Sequence, residues 1–131
     1  MRRLGLLLGL VLAVPAAAQG SATQMAFLQA ADAGDVAAMG RMLPGRVGLR
    51  GGASMPTREF LKTLSACYLR RVGAGDGGAV MANWMCRDGE GSKMVLARVL
   101  DEGDAVSIEG IAETPLKTPA PPRAGSALGG R

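Results

Sequence analysis

Ala66–Glu113 reads ACYLRRVGAGDGGAVMANWMCRDGEGSKMVLARVLDEGDAVSIEGIAE, four largely apolar runs separated by glycine clusters at Gly73–Gly78, Asp88–Gly91 and Asp101–Asp104. Short apolar runs bounded by Gly and Asp predict strands joined by turns, here a four-stranded antiparallel meander. Centring the first turn between Asp76 and Gly77 sets Cys67 opposite Cys86, Leu69 opposite Trp84 and Arg71 opposite Ala82. Carried through the next two turns, the register aligns Trp84 with Val95 and Gly110, Ala82 with Ala97 and Ile108, and Val80 with Val99 and Val106. One face is then nearly all apolar. The other carries Tyr68, Arg70, Met81, Asn83, Met85, Met94, Leu96, Arg98, Ser107 and Glu109. A slip of one residue scrambles both faces, so their clean separation supports the register.

The two cysteines of the chain stand directly opposed in this register. Opposed residues of an antiparallel pair have Cβ atoms roughly 4.5–5.5 Å apart, near the reach of a bridge. A Cys67–Cys86 disulfide is therefore expected, the alternative being two buried free thiols. Outward from the meander, Ser21-Ala22-Thr23-Gln24 has capping-box spacing at the start of a helix to about Ala33, with Phe27, Leu28 and Ala31 on one stripe. Gly34 suits its C-terminus and Asp35 caps a second helix, Val36–Leu43, ended by Pro44-Gly45 and turning Met39 inward. Val47–Arg50 reads as a short strand before Gly51-Gly52, and Phe60, Leu61 and Leu64 mark a third helix of about eight residues. The expected fold class is α+β, with N-terminal helices packed on the apolar face of a curved antiparallel sheet.

Met1-Arg2-Arg3, the apolar run Leu4–Val14 and the small residues Ala16-Ala17-Ala18 read as a secretory signal over residues 1–18. Eleven apolar residues fall short of the roughly 20 that span a bilayer. The expected product is an exported periplasmic or extracellular chain without stable membrane insertion after cleavage. Its single domain covers 19–113. Four of the seven prolines lie in 114–131, which reads as a disordered Pro/Gly-rich tail. Net charge is +4, and much of it belongs to the leader. Arg41–Arg71 holds seven basic residues and one acid, whereas Asp76–Glu113 holds eight acids and three bases. With one Trp, one Tyr and two Phe, aromatic stacking platforms are scarce, which argues against a nucleic-acid partner. The chain has no histidine, so His-dependent triads and zinc sites are excluded. Without histidine, methionine sulfur alone makes no case for copper. No metal or cofactor is expected.

Helix, Gly34-Asp35, helix, a Gly-rich bend, another helix, then a meander bearing Trp84-Met85-Cys86 and ending at an acidic-Gly turn before Val106-Ser107-Ile108 resembles the nuclear transport factor 2-like superfamily, also called ketosteroid-isomerase-like or SnoaL-like. The resemblance covers Met25 to about Ala112 and rests on Phe27, Ala30, Gly34 to Met39, and the Trp-x-Cys strand. It implies a cone-shaped, cystatin-like roll with a pocket between helices and sheet, and frequent dimerisation through the outer sheet face. Members include isomerases, dehydratases, cyclases and non-catalytic binding modules, so fold does not settle function. Isomerase members use a carboxylate base with tyrosine and carboxylic acid donors. Here the acids sit in expected turns and Tyr68 on the outer face, so no such constellation carries over.

The residues expected to line a pocket are Arg71, Trp84, Leu69, Ala82, Ala97, Ile108, Phe27 and Met39. Arg71, the one charge on the inner face, has the fork that holds a carboxylate or phosphate, or else extends its head to water from the strand end. Trp84 reads as core or as pocket wall, and Ala82, Ala97 and Gly110 as a cavity or a close helix approach. Met81, Met85, Met94 and Leu96 on the outer face form an adaptable surface for a homodimer. The expected function is an exported non-catalytic module binding a small apolar or anionic ligand or another protein. The alternatives are a small isomerase or dehydratase, which needs Asp35, Tyr68 or Glu109 deep in the pocket, and a dimerising structural envelope protein.

Overall fold

Each expected turn is present, and the turns set the geometry of what they join. The computed structural model describes residues 20–128, so the expected export signal lies outside the described residues. In chain order the elements are α1 (Ala22–Ala33), α2 (Val36–Met42), β1 (Arg46–Gly48), β2 (Ser54–Pro56), α3 (Thr57–Leu64), β3 (Cys67–Ala74), β4 (Val80–Asp88), β5 (Gly91–Asp101) and β6 (Val106–Leu116). Strands β3-β4-β5-β6 form one curved antiparallel sheet in sequence order, and β1 and β2 form a separate ribbon. The α+β class expected from the sequence is the class of the structure.

The helices begin and end where the side chains dictate. Ser21 Oγ accepts from the Gln24 amide at 3.1 Å and Gln24 Oε1 accepts from the Ser21 amide at 2.8 Å, a reciprocal cap. Gly34 ends α1 at φ +73, and Asp35 Oδ1 accepts from the Ala38 amide at 3.1 Å to start α2. Gln24 Nε2 then donates to the carbonyls of Gly78 (3.0 Å) and Val99 (2.9 Å), and Thr23 Oγ1 donates to that of Gly103 (2.8 Å). These bonds pin the start of α1 to the turn end of the sheet. Phe27, Leu28, Ala31, Met39, Phe60 and Leu64 descend from the helices onto Leu69, Ala82, Trp84, Val95, Ala97, Val99, Val106 and Ile108. The Phe60 ring meets Trp84 edge-on, with centroids 6.0 Å apart and planes at 88°, a favoured aromatic arrangement.

Cys67 pairs with Cys86 and Leu69 with Trp84, as expected, and the cysteines are joined as a disulfide. Beyond Leu69 the register shifts, so that Arg71 faces Asn83 and Val72 takes the place opposite Ala82. The cause is the turn. Five residues, Gly75–Ala79, separate the last pair Ala74 and Val80, with Gly77 and Gly78 at positive φ. An odd-length turn displaces the register by one, and a bulge at Arg70-Arg71 absorbs the displacement. Arg71 is therefore exposed and leaves the inner face, which corrects its expected place in a pocket.

The β4–β5 register is the expected one throughout. The last hairpin turns one residue later than expected, through Glu102–Ala105, so Val99 faces Ile108 and Asp101 faces Val106. Asp101 Oδ1 accepts from the Gly103 amide at 2.8 Å, which holds Asp101 in the strand and moves the turn on. A shift of two in the pairing leaves the faces intact. A second bulge between Leu96 and Arg98, with Gly110 at φ +68, adds a residue to β6 and brings Ile111 into the core beside Ile108. Strand β6 continues to Leu116, beyond the expected boundary at Glu113, because Thr114, Pro115 and Leu116 pair with Met94, Lys93 and Ser92. A proline fits there because β6 is an edge strand. Earlier along that edge, the β1–β2 ribbon leans on it through a bridge between Leu49 and Ile111 and a bond from the Arg50 amide to the Ile111 carbonyl at 2.9 Å.

Residues 117–128 contain no helix or strand, in keeping with their prolines, yet they are laid against the domain by specific contacts instead of forming the expected disordered tail. Ala127 and Leu128 reach the margin of the core.

Candidate functional site

Seven of the eight expected pocket residues come together, and they do so as packed interior. Phe27, Met39, Leu69, Ala82, Trp84, Ala97 and Ile108 are each at most 3% exposed. Ala82 and Ala97, opposed in the register, have no accessible surface, so the small-residue patch lets the helices approach closely. Buried polar side chains among the described residues are Gln24, Thr57 and Ser92, none of them ionisable. Thr57 donates to the Pro44 carbonyl and Ser92 to the Thr118 carbonyl. The groups an isomerase would draw on lie elsewhere. Asp35 is an exposed helix cap, Glu109 is exposed and paired with Arg98, and the Tyr68 hydroxyl donates outward to the Pro121 carbonyl at 2.8 Å.

The outer face is built in rows across the strands. Met81 stands beside Arg98 and Glu109; Arg71, Asn83, Leu96 and Ala112 form the next row; Tyr68, Met85, Met94 and Thr114 the next. Met81, Met94 and Leu96 are half-buried. Met85, expected to share their exposure, is 4% exposed and borders a groove of about 340 Å³ together with Ala120, Pro121, Pro122 and Arg123 of the tail. Asn83, between Met81 and Met85 along β4, has a buried Oδ1 that meets no donor among the described residues. Arg98 Nε contacts Glu109 Oε2 at 3.1 Å while its Nη2 donates to the Asp76 carbonyl at 3.2 Å, which ties β5 to the β3–β4 turn. At the other end of β5, Lys93 meets Glu113 at 3.1 Å. Both pairs are solvated and contribute at most about 1 kcal/mol each.

A second constellation was not anticipated. Asp32, near the end of α1, receives Arg123 Nη2 at 2.8 Å, Ser126 Oγ at 2.7 Å and the Ala127 amide at 2.9 Å. Burial pushes its carboxyl up, but the Ala127 amide, the Ser126 hydroxyl and the Arg123 guanidinium outweigh it and hold Asp32 below the ordinary carboxylate value. The only sequence signal was a carboxylate on the polar side of α1 and an Arg after Pro121-Pro122. Nothing in their spacing joins positions 91 residues apart. Among the described residues no three Cys, Asp or Glu are disposed to hold a metal. Among the described residues the arrangement offers apolar contacts and fixed donors and acceptors, and no buried ionisable side chain. Comparison of the chain with protein-family models, curated proteins and solved structures finds no match.

Proposed function

We propose that the mature chain is an exported, non-catalytic interaction module that pairs with a second copy through the outer face of its sheet. The observation that carries this reading is the half-buried group Met81, Met94 and Leu96 on adjacent strands, with Ala112 beside Leu96. Methionine side chains adapt to irregular partners, and a face of this kind suits an isologous interface in which the same patch serves both copies. The small-ligand arm of the expectation loses support, because the residues meant to line its pocket are buried against one another. The resemblance to the nuclear transport factor 2-like superfamily stays a proposal, supported by helices that precede and cover a curved antiparallel sheet. Export is supported by the leader pattern and by a disulfide, which persists in oxidising compartments.

The test is the mass of the mature chain in solution by light scattering, beside a Leu96→Lys variant. A dimer that becomes a folded monomer on Leu96→Lys supports the reading. A monomeric parent chain, or a dimer indifferent to Leu96→Lys and Met94→Lys, removes it.

A further inference from the structure

From Leu116 the chain turns under Ser92, whose Oγ donates to the Thr118 carbonyl at 2.7 Å, and crosses to the opposite edge strand, where Tyr68 holds the Pro121 carbonyl. It then reaches α1, where Asp32 takes Arg123, Ser126 and Ala127. Between these anchors it is thinly packed. Pro121, Pro122 and Arg123 are exposed, and grooves of about 340 and 270 Å³ flank the diproline on either side. The anchors nevertheless form a chemical code. A proline-rich segment is pre-extended, has few N–H groups of its own, and presents carbonyls that a tyrosine hydroxyl reads. A carboxylate placed beyond it reads a following arginine through a charge-assisted bond.

We propose that Tyr68 and Asp32 form a recognition site for an extended Pro-Pro-Arg segment, filled in the monomer by the chain's own tail, and that the partner it takes in trans is residues 117–128 of a second copy. Two copies then exchange tails reciprocally. Every contact made within one chain is available between two, so exchange changes no contact and is governed by the tether. Against a tethered competitor at an effective concentration in the millimolar range, the exchanged dimer of the parent chain forms with a dissociation constant of roughly millimolar order. Tyr68 shares the outer face with Met94, but none of Tyr68, Asp32 and Arg123 belongs to the Met81, Met94 and Leu96 group, so substitution separates the two pairings.

The experiment uses full-length mature chains all carrying Leu96→Lys, so that sheet-face pairing does not contribute. Asp32→Arg and Arg123→Glu are made separately and together. Each single variant loses its own latch, and its tail is expected to be cut readily by protease. The double variant restores the ion pair with reversed sign but not the acceptor for the Ser126 hydroxyl and the Ala127 amide, so its tail is expected to be cut more slowly than those of the single variants, which shows that the substitutions fold. Mixed in equal amounts, the single variants are expected to give a one-to-one heterodimer by native mass spectrometry, while neither alone dimerises. No heterodimer from a mixture whose double variant protects its tail overturns the exchange. A double variant whose tail is cut as fast as those of the single variants overturns the recognition pair itself. A synthetic peptide of residues 117–128 that binds the Arg123→Glu chain while the mixture stays monomeric also overturns the second-copy partner, reassigning the site to a peptide from another protein.

Discussion

Gln24 shows how much one buried polar side chain can organise. Its amide closes the cap of α1 through Ser21 and also donates to the Gly78 and Val99 carbonyls, which belong to the β3–β4 turn and to β5. The bond to Val99 is buried, so its carbonyl is left unsatisfied when the donor is lost, at about 1–3 kcal/mol, whereas the Gly78 carbonyl belongs to an exposed turn residue that water reaches. Gln24→Ala is expected to destabilise the fold by about 2–4 kcal/mol, read from the urea midpoint, since two acceptors and part of a cap are lost together. Ser21→Ala separates the causes: it removes the hydroxyl half of the cap and keeps both donor bonds of Gln24, so a loss small beside that of Gln24→Ala assigns most of the effect to the two carbonyls. Asp32 is the titrating counterpart. Its pKa is lowered in the folded chain, so its contribution is fully present above the ordinary carboxylate value of 3.8 and is lost as pH falls through the lower folded value. The Ala127 amide should therefore stay protected from hydrogen exchange, after correction for intrinsic rates, down to about pH 4 and lose protection below it. Asp32→Asn should abolish the pH dependence. Protection unchanged to pH 2 would sink the latch.

At the scale of elements, the sequence was legible where alternation and turn chemistry agreed, and illegible where a bulge intervened. The caps at Ser21, Gly34 and Asp35, the three helices, the four strands and the Cys67–Cys86 pair follow from local residue types, and each is present. The position of Arg71 did not, because counting back from a turn assumes that neither strand holds an extra residue, and the five-residue turn requires one. The last hairpin failed for a related reason: Asp101 reads as a turn residue by composition, yet its carboxylate works by holding the Gly103 amide from within the strand. Nor does local pattern show what covers the outer face, so Met85 read as exposed. Gly110 carries a prediction at this scale. At φ +68 an L-residue is strained, whereas the nearest atom to an added Cβ is Arg98 Cδ at 3.4 Å, the flexible part of a side chain. Strain, not crowding, decides the outcome, and Gly110→Ala is expected to cost about 1–2 kcal/mol. A variant as stable as the parent would mean that β6 pairs with β5 without the bulge.

For the whole molecule, the disulfide has a role that the helices and the core do not share. Strand β3 is an edge strand: it pairs with β4 alone, and α1 and α3 meet it only through a few residues. Nothing along its open side supplies ladder bonds among the described residues, so β3 is the natural place for the sheet to fray. Cys67 opens β3 directly after α3 and bonds to Cys86 on the more central β4, across a separation of 19 residues. Closing a loop of that size reduces the entropy of the unfolded chain by an amount worth about 3 kcal/mol. For a domain near 100 residues, each 1 kcal/mol moves the melting temperature by about 4–8 °C. The paired change Cys67→Ser and Cys86→Ser is thus expected to lower it by about 12–24 °C, and reduction of the parent chain should reproduce most of that loss. Replacing both sulfurs matters, because a single change leaves a free thiol able to pair between chains. If the loss is local, hydrogen exchange in the variant should accelerate first along β3 and at the Tyr68–Pro121 contact, with α1 and β5 following only at global unfolding. A variant that melts with the parent, or that loses protection evenly throughout, would show that the helices and the tail hold this edge without the bridge.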